Sequence, residues 1–217
     1  PTSAATSSRR PSTSDRSDAM SASLDASASR RRRTEVDDGD TMPAAAAADD
    51  AISVAVITGN GPVFCAGFDL KEFDKTPMQE IFAGESSVRY HQALRTFPKP
   101  LIAAVNGAAM AGGFDIVALS DLRIASTAAT FGHPEIRFGS GVMYGPLADL
   151  VGSARASEIV FRGEPIDAAA ALEYGLVTSV VAPDTLRPEA LVLAASVARS
   201  PLAALMSVKR AVIERRG

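Results

Sequence analysis

The chain has 217 residues, enough for one domain with a full hydrophobic core, and its 47% hydrophobic and 22% charged content is that of an ordinary globular protein. A net charge of -3 and a pI near 5.5 argue against a nucleic-acid partner, and no apolar run reaches the roughly 18 residues that a membrane span needs. The lone cysteine, Cys65, excludes an internal disulfide and fits a reducing compartment, and with only two histidines beside it a His/Cys metal cage is not expected.

Residues 1–43 are rich in Ser, Ala, Arg and Asp and carry almost no large apolar side chains. Arg30 to Arg33 form a basic run, with Asp37, Asp38 and Asp40 behind it. Such a stretch cannot bury enough apolar surface to offset its ordering entropy, so disorder is expected. Three readings stay open: a targeting peptide, against which Asp15, Asp18 and Asp25 count; a solvated tail; and coding sequence read incorrectly, with Met20 and Met42 as internal starts. RNA binding through Arg30 to Arg33 lacks the interleaved aromatics that base stacking needs.

Residues 44–217 read as one alternating α/β domain. Ala44 to Ala51 is the end of a helix. Ile52 to Thr58 (ISVAVIT) is a buried strand closed by Gly59, Asn60, Gly61 and Pro62. A helix over Ser86 to Phe97 stops before Pro98 and Pro100. Strands over Leu101 to Asn106 and Leu122 to Ser126 flank a short helix over Gly112 to Ser120. Helices are predicted near 144–151, 154–161 and 167–174, then a strand over Val177 to Val181 and two helices broken at Ser200-Pro201.

Two glycine-bearing turns follow apolar strands: FCAGFDLKEF at 64–73 and NGAAMAGGFD at 106–115. Glycine lets a ligand approach the main chain, and the second turn opens a helix whose free N–H groups sit at a positive dipole end. One N–H from each turn, converging on one oxygen, would make an oxyanion hole, although most such turns only redirect the chain. Two acids stand nearby in sequence. Asp115 lies in the first turn of that helix, where complementing the dipole is its simplest role. Glu135 lies in FGHPEIRFG, where Phe131, Ile136 and Phe138 are expected to withdraw it partly from water, with a surface ion pair as the simpler role. Two carboxylates in one pocket can move a proton and activate a water.

These segments carry a resemblance. FCAGFDLKEF, AAVNGAAMAGGFDIVALSDLRIA at 103–125, FGHPEIRFG at 131–139 and FRGEPIDAAAALEYGLVTSVV at 161–181 occur in the order and spacing of the enoyl-CoA hydratase/isomerase (crotonase) family. The chain resembles that family from Val54 to about Pro183. The resemblance implies an α/β spiral of stacked ββα units with C-terminal helices. It places the oxyanion donors on the N–H groups of Phe68 and Gly112, the catalytic acids on Asp115 and Glu135, and substrate contacts on Ala66, Gly67, Asp69, Leu70, Gly113, Met143 and Tyr144. It implies addition of water to a 2-enoyl-CoA thioester, with coenzyme A entering as part of the substrate and no separate cofactor or metal. It also implies a homotrimer or hexamer without nucleic-acid or membrane partners, in the cytoplasm or, alternatively, the mitochondrial matrix.

Asp115 is one methylene shorter than the glutamate of family hydratases, which sets its carboxylate roughly 1–1.5 Å further back. Two alternatives therefore stay open: an isomerase using Glu135 alone, and an inactive homologue that only binds or assembles. The usual strands before Val54 and the last C-terminal helices find no counterpart in the sequence, so weak stability is expected. His91 reads as structural, and His133 as a loop hydrogen bond or an orienter of Glu135. A nucleophilic Cys65 is not expected. Asp121 and Arg123 read as a pair, and Lys209, Arg210, Arg215 and Arg216 as a solvated helix face or a phosphate contact.

Overall fold

The computed structural model describes Ala22–Asp25, residues 42–67 and residues 85–216. Two sheets carry the architecture. The larger has the order β1 (Ala22–Asp25), β2 (Ala55–Gly59), β4 (Leu101–Val105), β6 (Leu122–Ser126) and β9 (Val180–Val181). The smaller has the order β3 (Val63–Cys65), β5 (Ala108–Met110), β7 (Thr130–Gly132) and β8 (Ile166–Asp167). Within each sheet the successive turns pair in parallel, β2 on β4 on β6 on β9 and β3 on β5 on β7. Each turn of the chain thus lays one strand in each sheet, which is a spiral of repeated units.

The helices are α1 (Met42–Ala48), α2 (Glu85–Thr96), α3 (Gly112–Leu119), α4 (Tyr144–Arg162), α5 (Ala168–Glu173), α6 (Leu186–Val197) and α7 (Leu202–Arg216). A 3₁₀ turn covers Pro134–Phe138. The two helices expected over 144–161 form one element interrupted at Gly152, whose φ of 78° no helix accepts. Four residues of the segment expected to be disordered, Ala22–Asp25, instead form β1, which lies antiparallel on the outer edge of β2. Pairing to an edge supplies the backbone partners that their own side chains cannot.

The three long strands alternate with period two. Ala55 and Ile57, Leu101, Ala103 and Val105, and Ala125 face the interior with Phe114, Ile116, Val117 and Leu119 of α3. Val54, Val56, Ile102, Ala104 and Ile124 face the other way, under Leu186, Ala190 and Ala194 of α6. Helix α3 is buried on all sides from Gly113 to Leu119, so each of its large apolar residues contributes about 1.5–3 kcal/mol of transfer free energy. Among the described residues no single helix is long and apolar enough to cross a membrane. The bent pair α6 and α7 passes such a test by composition alone, but α6 covers the larger sheet.

The clamp that holds α7 corrects two expectations. Asp121 does not pair with Arg123. Its Oδ2 accepts from Lys209 Nζ at 2.5 Å and from the Leu101 N–H at 2.8 Å, and Oδ1 lies 3.5 Å from Arg216. Arg123 donates instead to the carbonyls of Leu176 (2.7 Å) and Ser120 (2.6 Å). Lys209 and Arg216 are therefore not a solvated face: Lys209 is 2% exposed, and Arg216 also donates to the carbonyl of Leu119.

Candidate active site

The site lies where the short strands end. β5 runs into Ala111, whose φ of 52° is the one left-handed value at a non-glycine residue described. That conformation costs on the order of 1–2 kcal/mol. It turns the chain at once into α3, so the N–H of Gly112, at the helix start, has no intrahelical acceptor. The first turn abuts the second. Gly67 has a φ of +85°, and a Cβ built there would meet Ala111 Cβ at 2.9 Å and Gly112 N at 3.3 Å. Gly67 is buried and Ala66 beside it is exposed. Tyr90 of α2 braces this junction by donating from its hydroxyl to the Gly112 carbonyl at 3.0 Å, and burial pushes its phenol well above the usual range. Phe68, Asp69 and Leu70 lie outside the described residues.

Gly113 has a packing task. A Cβ there would fall 2.1 Å from the Cys65 carbonyl, so this glycine lets α3 pack against β3. Cys65 itself is buried, and that burial raises its thiol above the ordinary value. A raised value leaves less thiolate at any given pH. Alkylation by iodoacetamide at pH 7.5 should therefore be slower than for a free thiol by at least about tenfold, followed by mass spectrometry of the folded chain.

The two acids come from successive turns of the spiral. Asp115 sits in the first turn of α3 and Glu135 in the 3₁₀ turn after β7, where Ser140 N–H binds its carbonyl at 3.1 Å. His133 stands between them. Its Nδ1 donates to Glu135 Oε1 at 2.8 Å, and its Nε2 faces Asp115 Oδ1 at 3.8 Å. The ring is 1% exposed and lies tilted on Phe114, with centroids 4.8 Å apart. His91, expected to be structural, also belongs to the site: its Nε2 donates to Asp115 Oδ2 at 2.9 Å. Nothing in the local pattern of α2 announces that role, since the partner lies 24 residues away.

Three buried atoms of this cluster have no hydrogen-bond partner among the described residues: Asp115 Oδ1 and His133 Nε2, 3.8 Å apart, and Glu135 Oε2 on the other side of the ring. Buried polar atoms are nearly always paired, so three orphans in one cluster mark a place suited to a polar ligand. Two carboxylates, two imidazoles and an open helix N-terminus can hold an anion-forming carbonyl and pass a proton beside it. Among the described residues, no group of three or more His, Cys, Asp or Glu is arranged to hold a metal ion.

Of the residues expected at the acyl end, Met143 is half-buried and packs on the margin of the core, where its sulfur accepts from Arg95 at 3.1 Å. Tyr144 does not join it. It is 37% exposed, and its hydroxyl bonds along α4 to the Ser153 carbonyl and Ser157 Oγ, both at 3.1 Å. Phe138 is 66% exposed, Phe131 is fully buried and Ile136 is half-buried.

Comparison with known proteins agrees with this geometry. The family model described as "Enoyl-CoA hydratase/isomerase" matches residues 43–215. The chain is 40% identical over 166 residues to mevalonyl-coenzyme A hydratase of Aspergillus fumigatus, covering 74% of this chain and 58% of that protein. It is 40% identical over 173 residues to 2,3-dehydroadipyl-CoA hydratase of Escherichia coli, covering 77% of this chain and 67% of that protein. The crystal structure of enoyl-CoA hydratase from Bacillus anthracis superposes with a TM-score of 0.74 at 32% identity, covering 79% of this chain and 69% of that one. The chain therefore spans about three fifths to two thirds of the length of these relatives.

Proposed function

The chain belongs to the enoyl-CoA hydratase/isomerase family, and from that premise we propose that it adds water across the double bond of a 2-enoyl-CoA thioester. The observation that carries this reading is the pair Asp115 and Glu135 on either side of the His133 ring, beside the junction of Gly67 and Gly112. The thioester oxygen accepts from the Gly112 N–H and from a second N–H of the 66–68 turn, the place expected of Phe68. Negative charge that develops on that oxygen meets donors already fixed in position. Asp115 Oδ1 takes a proton from the attacking water as its oxygen bonds to the β-carbon. Glu135 Oε2 gives a proton to the α-carbon as the enolate collapses.

His91 and His133 are positioning residues in this scheme. Each fixes one oxygen of one acid and leaves the other toward the substrate. His91 also bears on the missing methylene, because it holds the short side chain of Asp115 in one orientation. The chemistry draws on no cofactor beyond the coenzyme A carried by the substrate. Exposed Phe138 and Phe161, on either side of the contact between Arg137 and the Arg162 carbonyl, support self-assembly through that face. A lone buried thiol suits the reducing cytoplasm or mitochondrial matrix.

One observation favours a second reaction on the same scaffold. Asp115 is one methylene shorter than a glutamate, while Glu135 has its full reach and Oε2 unpartnered among the described residues, so a double-bond shift through Glu135 alone is the other candidate. The test is to incubate the purified chain separately with crotonyl-CoA and with a 3-enoyl-CoA. Loss of the conjugated thioester absorbance from the first supports hydration. Its appearance from the second, without loss from the first, replaces hydration by isomerisation. Neither change from a cooperatively folded chain overturns both.

A further inference from the structure

Three described arginines are withdrawn from solvent: Arg95, Arg123 and Arg216. Arg123 and Arg216 each donate to two carbonyl oxygens, and Arg216 also lies 3.5 Å from Asp121. Arg95 is different. Its contact is the sulfur of Met143 at 3.1 Å, and no carboxylate or carbonyl among the described residues accepts from it. A thioether is a weak acceptor and a guanidinium carries five donors, so most donors of this half-buried group are left to solvent and open to a ligand. Its place at the C-terminal turn of α2 complements the helix dipole, which is worth only about 0.3–1 kcal/mol and asks for no burial.

The position of Arg95 gives a ligand of those donors an address. Arg95 is four residues after His91 and so shares its face of α2, about 6 Å further along the axis. At His91 that face touches the catalytic acid Asp115; at Arg95 it touches Met143, beyond Glu135 on the segment that leads into α4. With the double bond at the first of these points, as the proposed reaction requires, a short acyl group that extends along α2 brings its far end to the second.

We propose that Arg95 binds a carboxylate at the far end of the acyl group, so that the preferred substrates are 2-enoyl-CoA thioesters of dicarboxylic acids. The inference rests on reading the site as one that takes 2-enoyl-CoA thioesters. A planar guanidinium meets such a group with two parallel hydrogen bonds, and the Met143 sulfur yields its donor without leaving a strong acceptor unpaired. Two carbons more or fewer between double bond and carboxylate move the anion by about 2.5 Å, so the chain length is selected too.

The experiment compares glutaconyl-CoA with 2-pentenoyl-CoA, and 2,3-dehydroadipyl-CoA with 2-hexenoyl-CoA, on the wild type, Arg95→Met and Arg95→Lys. Binding of the saturated glutaryl-CoA and pentanoyl-CoA is measured alongside by calorimetry. The wild type is expected to favour the diacid member of at least one pair in kcat/KM. Arg95→Met should lower that value on the order of 100-fold while leaving the monoacid within about threefold, and Arg95→Lys should fall between. Equal losses on both members, or a wild type that prefers the monoacids, overturn the proposal. A folded wild type that turns over none of the four, yet binds glutaryl-CoA more tightly than pentanoyl-CoA only when Arg95 is present, defeats the hydratase reading and supports the carboxylate site.

Discussion

Replacing Glu135 by glutamine should lower crotonyl-CoA hydration by about 100- to 10,000-fold, the usual contribution of a positioned general acid or base. The change is nearly isosteric. The amide oxygen can still accept from His133 Nδ1, so the hydrogen bond of 2.8 Å survives and the fold has little reason to respond. What is lost is the proton that Oε2 exchanges with the α-carbon. The loss should therefore appear in kcat, with KM within a few-fold and the melting temperature nearly unchanged. Asp115→Asn is the companion. In the scheme above it stops water activation but leaves Glu135 able to exchange the α-proton of a saturated acyl-CoA with solvent deuterium, which mass spectrometry reads. If Glu135→Gln retains full hydration in a folded protein, the assignment of the acids is wrong.

Asp121→Ala should be the most damaging single change to stability, at about 3–5 kcal/mol, because it leaves buried cations without their counter-ion. Lys209 is 2% exposed, and its ammonium is held below the usual lysine value because burial outweighs the attraction of Asp121. Removing the carboxylate takes away the opposing influence and also leaves the Leu101 N–H without its acceptor. For a chain of this size the melting midpoint should fall by roughly 6–20 °C. The pH dependence follows from the sign of the shift. A folded value below the unfolded one means that the unfolded chain binds more protons between the two, so stability rises with pH there. The deficit of Asp121→Ala should accordingly shrink as pH climbs toward the ordinary lysine value. Adding Lys209→Met to the same chain should recover part of the loss, which a double-mutant cycle measures. A deficit under about 1 kcal/mol would show that the clamp is solvated in solution.

How much of this was legible from residues alone depends on strand length. Ile52 to Thr58, Leu101 to Asn106 and Leu122 to Ser126 read as strands because their apolar runs must be buried on both faces; β4 and β6 lie within those ranges and β2 runs one residue past its own. The smaller sheet was not legible at all. Ala108–Met110 contains no β-branched residue, and strands of two or three residues give periodicity nothing to work on. Yet these strands aim the chemistry: β5 delivers Gly112 and β7 delivers His133 and Glu135. The acids could be singled out because the segments that hold them, NGAAMAGGFD and FGHPEIRFG, carry the family resemblance. His91 could not, since a histidine beside Tyr90 on an amphipathic helix looks the same whether or not a carboxylate waits across the fold. The ion pairs of Asp121 were misassigned for a related reason: Arg123 is near in sequence, but Lys209 is near in space across 88 residues.

That separation has a consequence in time. A chain emerging from a ribosome at roughly 5–20 residues per second offers its early turns for docking before its later ones exist. β2, β4 and β6 can stack as they appear, each on its predecessor. Asp115 and Glu135 are both out by residue 135, but the Asp121 side chain then waits several seconds for the helix that carries its partners. Until that helix docks, Asp121 stands without its counter-ions. Arrival of Lys209 ends that wait, so the clamp closes only after β2, β4 and β6 have had time to stack.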